Sequence, residues 1–183
     1  MLTAGSGFAV LGVLASMTGL FLTAELHVRN HTVAGVVVAL AFLGTGSGQL
    51  LVRVLSPRSA LPWACTGLIA AAALLAVAML ATLLAPLLAA AVLTGLATGT
   101  AVGAGVTGIA TGVSPERRGA AFSTFFAIVY VMLAVPAVGV GALVLVCDLS
   151  TAGTVFAGLV ALPPMAVLAG LVRPRTTGRA GSA

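Results

Sequence analysis

Six apolar runs, each about twenty residues or longer, follow one another through this chain of 183 residues, and only short polar breaks part them. A helix needs about 20 apolar residues to cross the roughly 30 Å of a bilayer's hydrocarbon. Open strands cannot do so, because their unpaired backbone groups would be left in lipid. The runs therefore predict an all-α integral membrane protein with six transmembrane helices, over approximately 5–24, 32–52, 60–81, 86–110, 120–146 and 151–172. Residues 1–172 make one bundle and 173–183 a basic tail. Charge agrees with this. Asp, Glu, Lys and Arg together are 6% of the chain and the mean hydropathy is +1.26, whereas a soluble domain carries about 25% charged residues.

The breaks decide direction. The net charge of +5 comes from eight arginines and no lysine. Arg53, Arg58, Arg117, Arg118, Arg173, Arg175 and Arg179 fall in the second break, the fourth break and the tail, which share one side of a six-span chain. Arg29 alone falls on the other. Cytoplasmic loops are enriched in Arg and Lys, so both termini are expected in the cytoplasm. Arginines spread this way are a topology signal, with the lipid bilayer as partner, and nucleic acid is not expected. The lysine-free, Ala-, Gly-, Val- and Leu-rich composition resembles that of GC-rich bacterial genomes, which points to a bacterial inner membrane. The first run is too long for a signal peptide's apolar region and no basic residue precedes it. A basic segment upstream of Met1 is the expected source of the missing cue.

The fourth break, "GVSPERRGAAF", concentrates Glu116, Arg117 and Arg118. Ser114 can cap and Pro115 can open the helix that follows, with Glu116 in its first turn, favoured by the helix dipole. Two readings stand side by side: a turn held in the cytoplasm by its arginines, and part of a moving gate.

Within the spans, Gly95, Gly99 and Gly103 recur every fourth residue, Gly44 and Gly48 repeat the spacing, and Pro136, Gly139 and Gly141 follow in the fifth run. Such small-residue faces let helix backbones approach closely in lipid, and they also suit helices that slide or rock. Thr94 and Thr98 lie one turn apart. Ser16 and Thr18, then Thr45, Ser47 and Gln49, then Ser123, Thr124 and Tyr130 are further polar residues inside spans. Thr94, Thr98, Tyr130, Ser16 and Gln49 are the substrate-pathway candidates. Tyr130, the only tyrosine, can equally make a helix-to-helix hydrogen bond, and hydroxyls in helices often bond back to their own backbone. No Asp, Glu, Lys or Arg lies deep in a span, although proton-coupled transport usually uses an intramembrane ionisable group. Glu25 stands only at the outer rim.

His27 and His31 are four apart but have no third ligand nearby, and Asn30 reads as the cap of the second span. Cys65 and Cys147 have no metal-binding spacing. Neither metal nor cofactor is expected. Without a Ser-His-Asp set, a carboxylate pair or a P-loop, the chain does not read as an enzyme.

"SPERRGAAFSTFFAIVYVMLAVPAVGVGAL" resembles the turn and eleventh helix of major facilitator superfamily transporters, where a P-E-R-R/A-G turn precedes a helix ending in a Pro- and Gly-rich segment. "GLFLTAELHVRNHTVAGVVVALAFLGTGSGQLL" resembles their seventh and eighth helices. The resemblance runs over the whole chain, whose spans would be helices seven to twelve. It departs at the family's G-x-x-x-D-R-x-G-R loop, where Gly48 and Arg53 match but Val52 stands at the aspartate position, so no gating ion pair is expected. The resemblance implies the C-terminal half of a secondary transporter, with a substrate site near the midplane between two halves. It implies a second six-helix half, or a homodimer, as partner. Drug-type small-molecule efflux is the natural activity, and uptake of sugars or metabolites the other. A non-transporting six-helix assembly or regulatory subunit is the reading from a different class.

Overall fold

The computed structural model describes residues 2–24, 31–55, 57–144 and 149–172. These residues form six helices: α1 (Leu2–Ala24), α2 (His31–Leu51), α3 (Pro57–Ala81), α4 (Leu84–Gly112), α5 (Pro115–Val144) and α6 (Leu149–Val172). They run 21 to 30 residues, or about 30 to 45 Å at 1.5 Å per residue. Four of them, α2 to α5, carry apolar stretches long enough to cross a membrane among the described residues. In α1 and α6 the corresponding described stretches are shorter, Thr3–Ser16 and Ala161–Leu171.

Each helix begins and ends near the predicted place, with differences that have local causes. α3 starts at Pro57 and α5 at Pro115, because proline suits the first helical position, where no backbone N–H is needed. Both helices thus extend past the edge of their apolar runs. The α3–α4 turn is tight. The Leu83 N–H donates to the Ala78 carbonyl at 3.3 Å, and Thr82 between them has a φ of 50°. That is the closing bond of a Schellman motif, with threonine at the left-handed position that glycine usually fills.

α4 is the axis of the bundle. The apolar window of α4 is 61% buried, against 22% for α2 and 6% for α5. α4 packs most heavily on α2 and α3, and also on α1 and α5. α1 is the second axis, touching all five other helices. The pairings repeat when the first three helices are exchanged for the last three. α2 packs on α4 as α5 packs on α1; α3 packs on α4 as α6 packs on α1; α3 meets α6, and α1 meets α4. The repeat is imperfect, since α5 touches α6 whereas α2 and α3 do not meet among the described residues.

Two apolar clusters fill the interior. One joins Val10, Leu14, Phe21, Leu75, Leu87 and Phe156, among others, where α1, α3, α4 and α6 converge. The other joins Ala4, Ala64, Val102, Ile109, Phe125 and Val129 toward the opposite end of α1. Large apolar side chains also point outward, such as Leu43, Leu80, Val135 and Val138. Apolar residues thus ring these helices instead of forming one stripe, a pattern compatible with a membrane protein.

Candidate functional site

The seam between α2 and α4 positions everything around it. A Cβ built on Gly95 would stand 2.2 Å from the Ala41 carbonyl oxygen and 3.0 Å from the Gly44 Cα. One on Gly99 would stand 2.0 Å from the Thr45 carbonyl oxygen, and one on Gly48 2.3 Å from that of Leu96. These obstacles are backbone, so only glycine fits. The register climbs together, from Gly95 beside Ala41 to Gly103 beside Val52, so the two helices run parallel. Thr100 ties the seam through its one hydroxyl proton, shared between the Leu96 carbonyl at 2.8 Å and the Gly48 carbonyl at 3.2 Å. The α1–α5 contact is similarly close at one point, where a Cβ on Gly12 would come 2.5 Å from the Leu133 carbonyl oxygen.

Gly103 stands at the edge of an open space beside the seam. A cavity of about 740 Å³ opens there, lined by Gln49 and Arg53 from α2 and its following turn, by Thr107, Gly108 and Thr111 from α4, and by Ala60 at the start of α3. Neither Gly46 nor Gly108, both on its walls, would meet anything within 4 Å if given a Cβ. Arg53 and Thr111 line the same space, so the α2–α3 and α4–α5 turns lie at one end of the bundle.

The second turn explains part of its own charge. Arg118 is half-buried, and its Nε donates to the Val113 carbonyl at 3.0 Å. Val113 has left the helical conformation at the end of α4, so this guanidinium satisfies a carbonyl just past the helix terminus. The Arg117 N–H donates to the Ser114 carbonyl at 3.0 Å. Arg117 and Glu116 are exposed, with Glu116 in the first turn of α5 as expected.

The structure separates the other candidates. Thr94 and Thr98 are both 0% exposed. They sit inside the bundle, with the Thr98 Oγ1 pressed on Gly7 of α1, and neither hydroxyl has a hydrogen-bond partner among the described residues. Tyr130 is 61% exposed on the outer surface of α5. Thr94, Thr98 and Tyr130 therefore share no surface: the two threonines are enclosed, Thr98 against α1, whereas Tyr130 is exposed on α5. Ser16 is exposed on α1 and donates to the Val13 carbonyl at 3.2 Å. Thr45, Ser47 and Thr124 likewise bond back to carbonyls one turn earlier.

Gly95, Gly99 and Gly103 are packing residues, but Gly139 and Gly141 would meet nothing within 4 Å, so close packing does not extend to them. Pro136 is half-buried inside the continuous helix α5. Thr100 and the pair Thr107 and Thr111 escaped the sequence reading. The signal for Thr107 and Thr111 was four-residue spacing at the end of α4, matching that of Gln49 near the end of α2 and Arg53 in the turn after it. Glu25, His27, Arg29, Asn30, Cys147 and the arginines of the tail lie outside the described residues, as do the side chains of His31 and Arg58. Among the described residues no cluster of His, Cys, Asp or Glu is suited to hold a metal.

Compared with known proteins, the chain matches no family model, no curated protein and no solved structure.

Proposed function

We propose that the chain is the C-terminal half of a secondary transporter of the major facilitator type. In this reading all six helices cross a bacterial inner membrane, with both termini in the cytoplasm. The half works by alternating access against a second six-helix half, on the same or another chain, or against a second copy. The observation that carries the reading is the repeat in the helix pairings, α2 on α4 as α5 on α1 and α3 on α4 as α6 on α1. Two three-helix units in inverted orientation are the building plan of each half of that transporter class. The weakly buried α2 and α5 leave surface for a partner. With no charge deep in the spans, an apolar or weakly polar substrate fits best, and efflux is the favoured direction.

Enclosure of Thr94 and Thr98 favours one other reading, a non-transporting six-helix assembly or regulatory subunit, since it removes two polar groups from any transport path. Reconstitution separates the two. The purified chain alone should give no substrate-dependent flux in liposomes, and co-expression with a six-helix N-terminal half should restore it. Saturable flux from the chain alone, shown monomeric by cross-linking, defeats the half-transporter reading. A Ser182→Cys variant should react with impermeant thiol reagent only after the cells are opened, and labelling of intact cells defeats the assigned direction.

A further inference from the structure

We propose that the cavity between α2, α4 and the start of α3 is a binding site for an anionic phospholipid of the adjacent leaflet. The inference rests only on the membrane-embedded reading and not on transport.

Its walls have the right chemistry. Among the described residues Arg53 is the one charged residue that lines it, and a guanidinium offers several donors in a fork that matches phosphate. The amide of Gln49, one turn away on α2, and the exposed hydroxyl of Thr107 can add donors. The Thr111 hydroxyl gives its proton to the Thr107 carbonyl at 2.9 Å. Among the described residues no carboxylate lines the cavity, so none of them repels a phosphodiester.

Its shape and position favour a lipid over a molecule from water. The lining continues from Arg53 to Leu50 and Gly46, seven residues and so about 10 Å along the helix. Polar at one end and apolar and glycine-lined at the other, this track suits a headgroup followed by the upper part of acyl chains. A volume of about 740 Å³ lies within the roughly 300–1,000 Å³ usual for small-molecule sites. The opposite side of α4 carries Gly105 and Ile109, which pack with Phe125 of α5. The cavity therefore opens away from α1 and α5, at the rim of the bundle, where lipid enters sideways.

The test uses the full chain, delipidated in neutral detergent and titrated with phosphatidylglycerol, phosphatidylcholine or laurate, with native mass spectrometry counting the bound molecules. Phosphatidylglycerol should be preferred over phosphatidylcholine by about fivefold, as expected for one arginine near an anionic headgroup. Arg53→Gln should abolish the preference. Gly108→Leu, which grows into open space, should lower occupancy by both lipids, whereas Gly139→Leu, open but elsewhere, should not. A preference that survives Arg53→Gln, or full occupancy in Gly108→Leu, overturns the site. Displacement of phosphatidylglycerol by equimolar laurate overturns the lipid assignment in favour of a free amphipathic acid. Flotation with phosphatidylcholine vesicles keeps the two readings apart: a chain that fails to float defeats the membrane reading itself, and one that floats without lipid preference defeats only the site.

Discussion

Gly99→Ala adds one carbon at the tightest point of the α2–α4 seam. That carbon would lie 2.0 Å from the Thr45 carbonyl oxygen, 2.8 Å from its carbon and 3.0 Å from the Gln49 nitrogen. Ordinary contact begins at 3.4 Å, so the first distance falls short by about 1.4 Å. No rotamer relieves the clash, because all three atoms are backbone, and the helices must part. Parting by even 0.5–1 Å forfeits about a quarter to a half of each dispersion contact along the seam, and it strains the Thr100 bond to Gly48. Overpacking costs about 1–3 kcal/mol, and the upper end applies where backbone meets backbone. Replacing helical glycine by alanine returns up to about 1 kcal/mol of propensity. Gly139→Ala isolates that return, since its Cβ meets nothing within 4 Å. The readout is the difference between the two variants in reversible denaturant-driven unfolding in micelles, followed by circular dichroism. It should be about 2–3 kcal/mol. Equal stability of Gly99→Ala and Gly139→Ala would refute the argument that contact of the two backbones holds α2. Gly99→Leu should be worse than Gly99→Ala and lower the yield of folded protein.

Thr100→Val keeps the shape and removes the bond to Gly48, and should cost about 0.6 kcal/mol, the mean for interhelical bonds in membranes, in the same unfolding assay. Thr82→Gly should raise stability by up to about 1 kcal/mol, because a β-branched residue is strained at a φ of 50°; a drop in the melting midpoint counts against the assigned turn. Cys65 is 0% exposed and lies 3.7 Å from the Thr3 hydroxyl. It should resist maleimide in the folded protein and react once the chain is unfolded in dodecyl sulfate, as mass spectrometry would detect.

Length and apolarity made the helices legible, because each long apolar run became one helix. The ends of α3 and α5 were placed less well, since a helix persists past the apolar run when a proline opens it. The Gly95, Gly99 and Gly103 face was legible as spacing, but its partner was not. Only the fold shows that Ala41, Gly44 and Thr45 approach it. Thr94 and Thr98 were legible as a pair one turn apart, yet spacing does not say which neighbour a face meets; both are enclosed, with Thr98 against Gly7 of α1. The cavity was harder still, since α2, α4 and the start of α3 line it together and it exists in no one helix alone. Gln49 and Arg53 were singled out for separate reasons, and only the fold joins them to Thr107 and Thr111.

The strongest contact of α2 is with a helix that the ribosome has not yet made when α2 is finished. α2 and α3 do not meet among the described residues, and α1 touches α2 only lightly. α2 ends at Leu51 and α4 at Gly112. At about 5–20 residues per second, α2 waits some 3–12 s before its seam can close. During that interval its glycine-rich face, with Gly44 and Gly48, has no α4 to close on. Birth order in this chain is thus not assembly order. A stalled or shortened product ending in the α3–α4 turn would present that face to any helix passing by, and quality-control proteases would find α2 first.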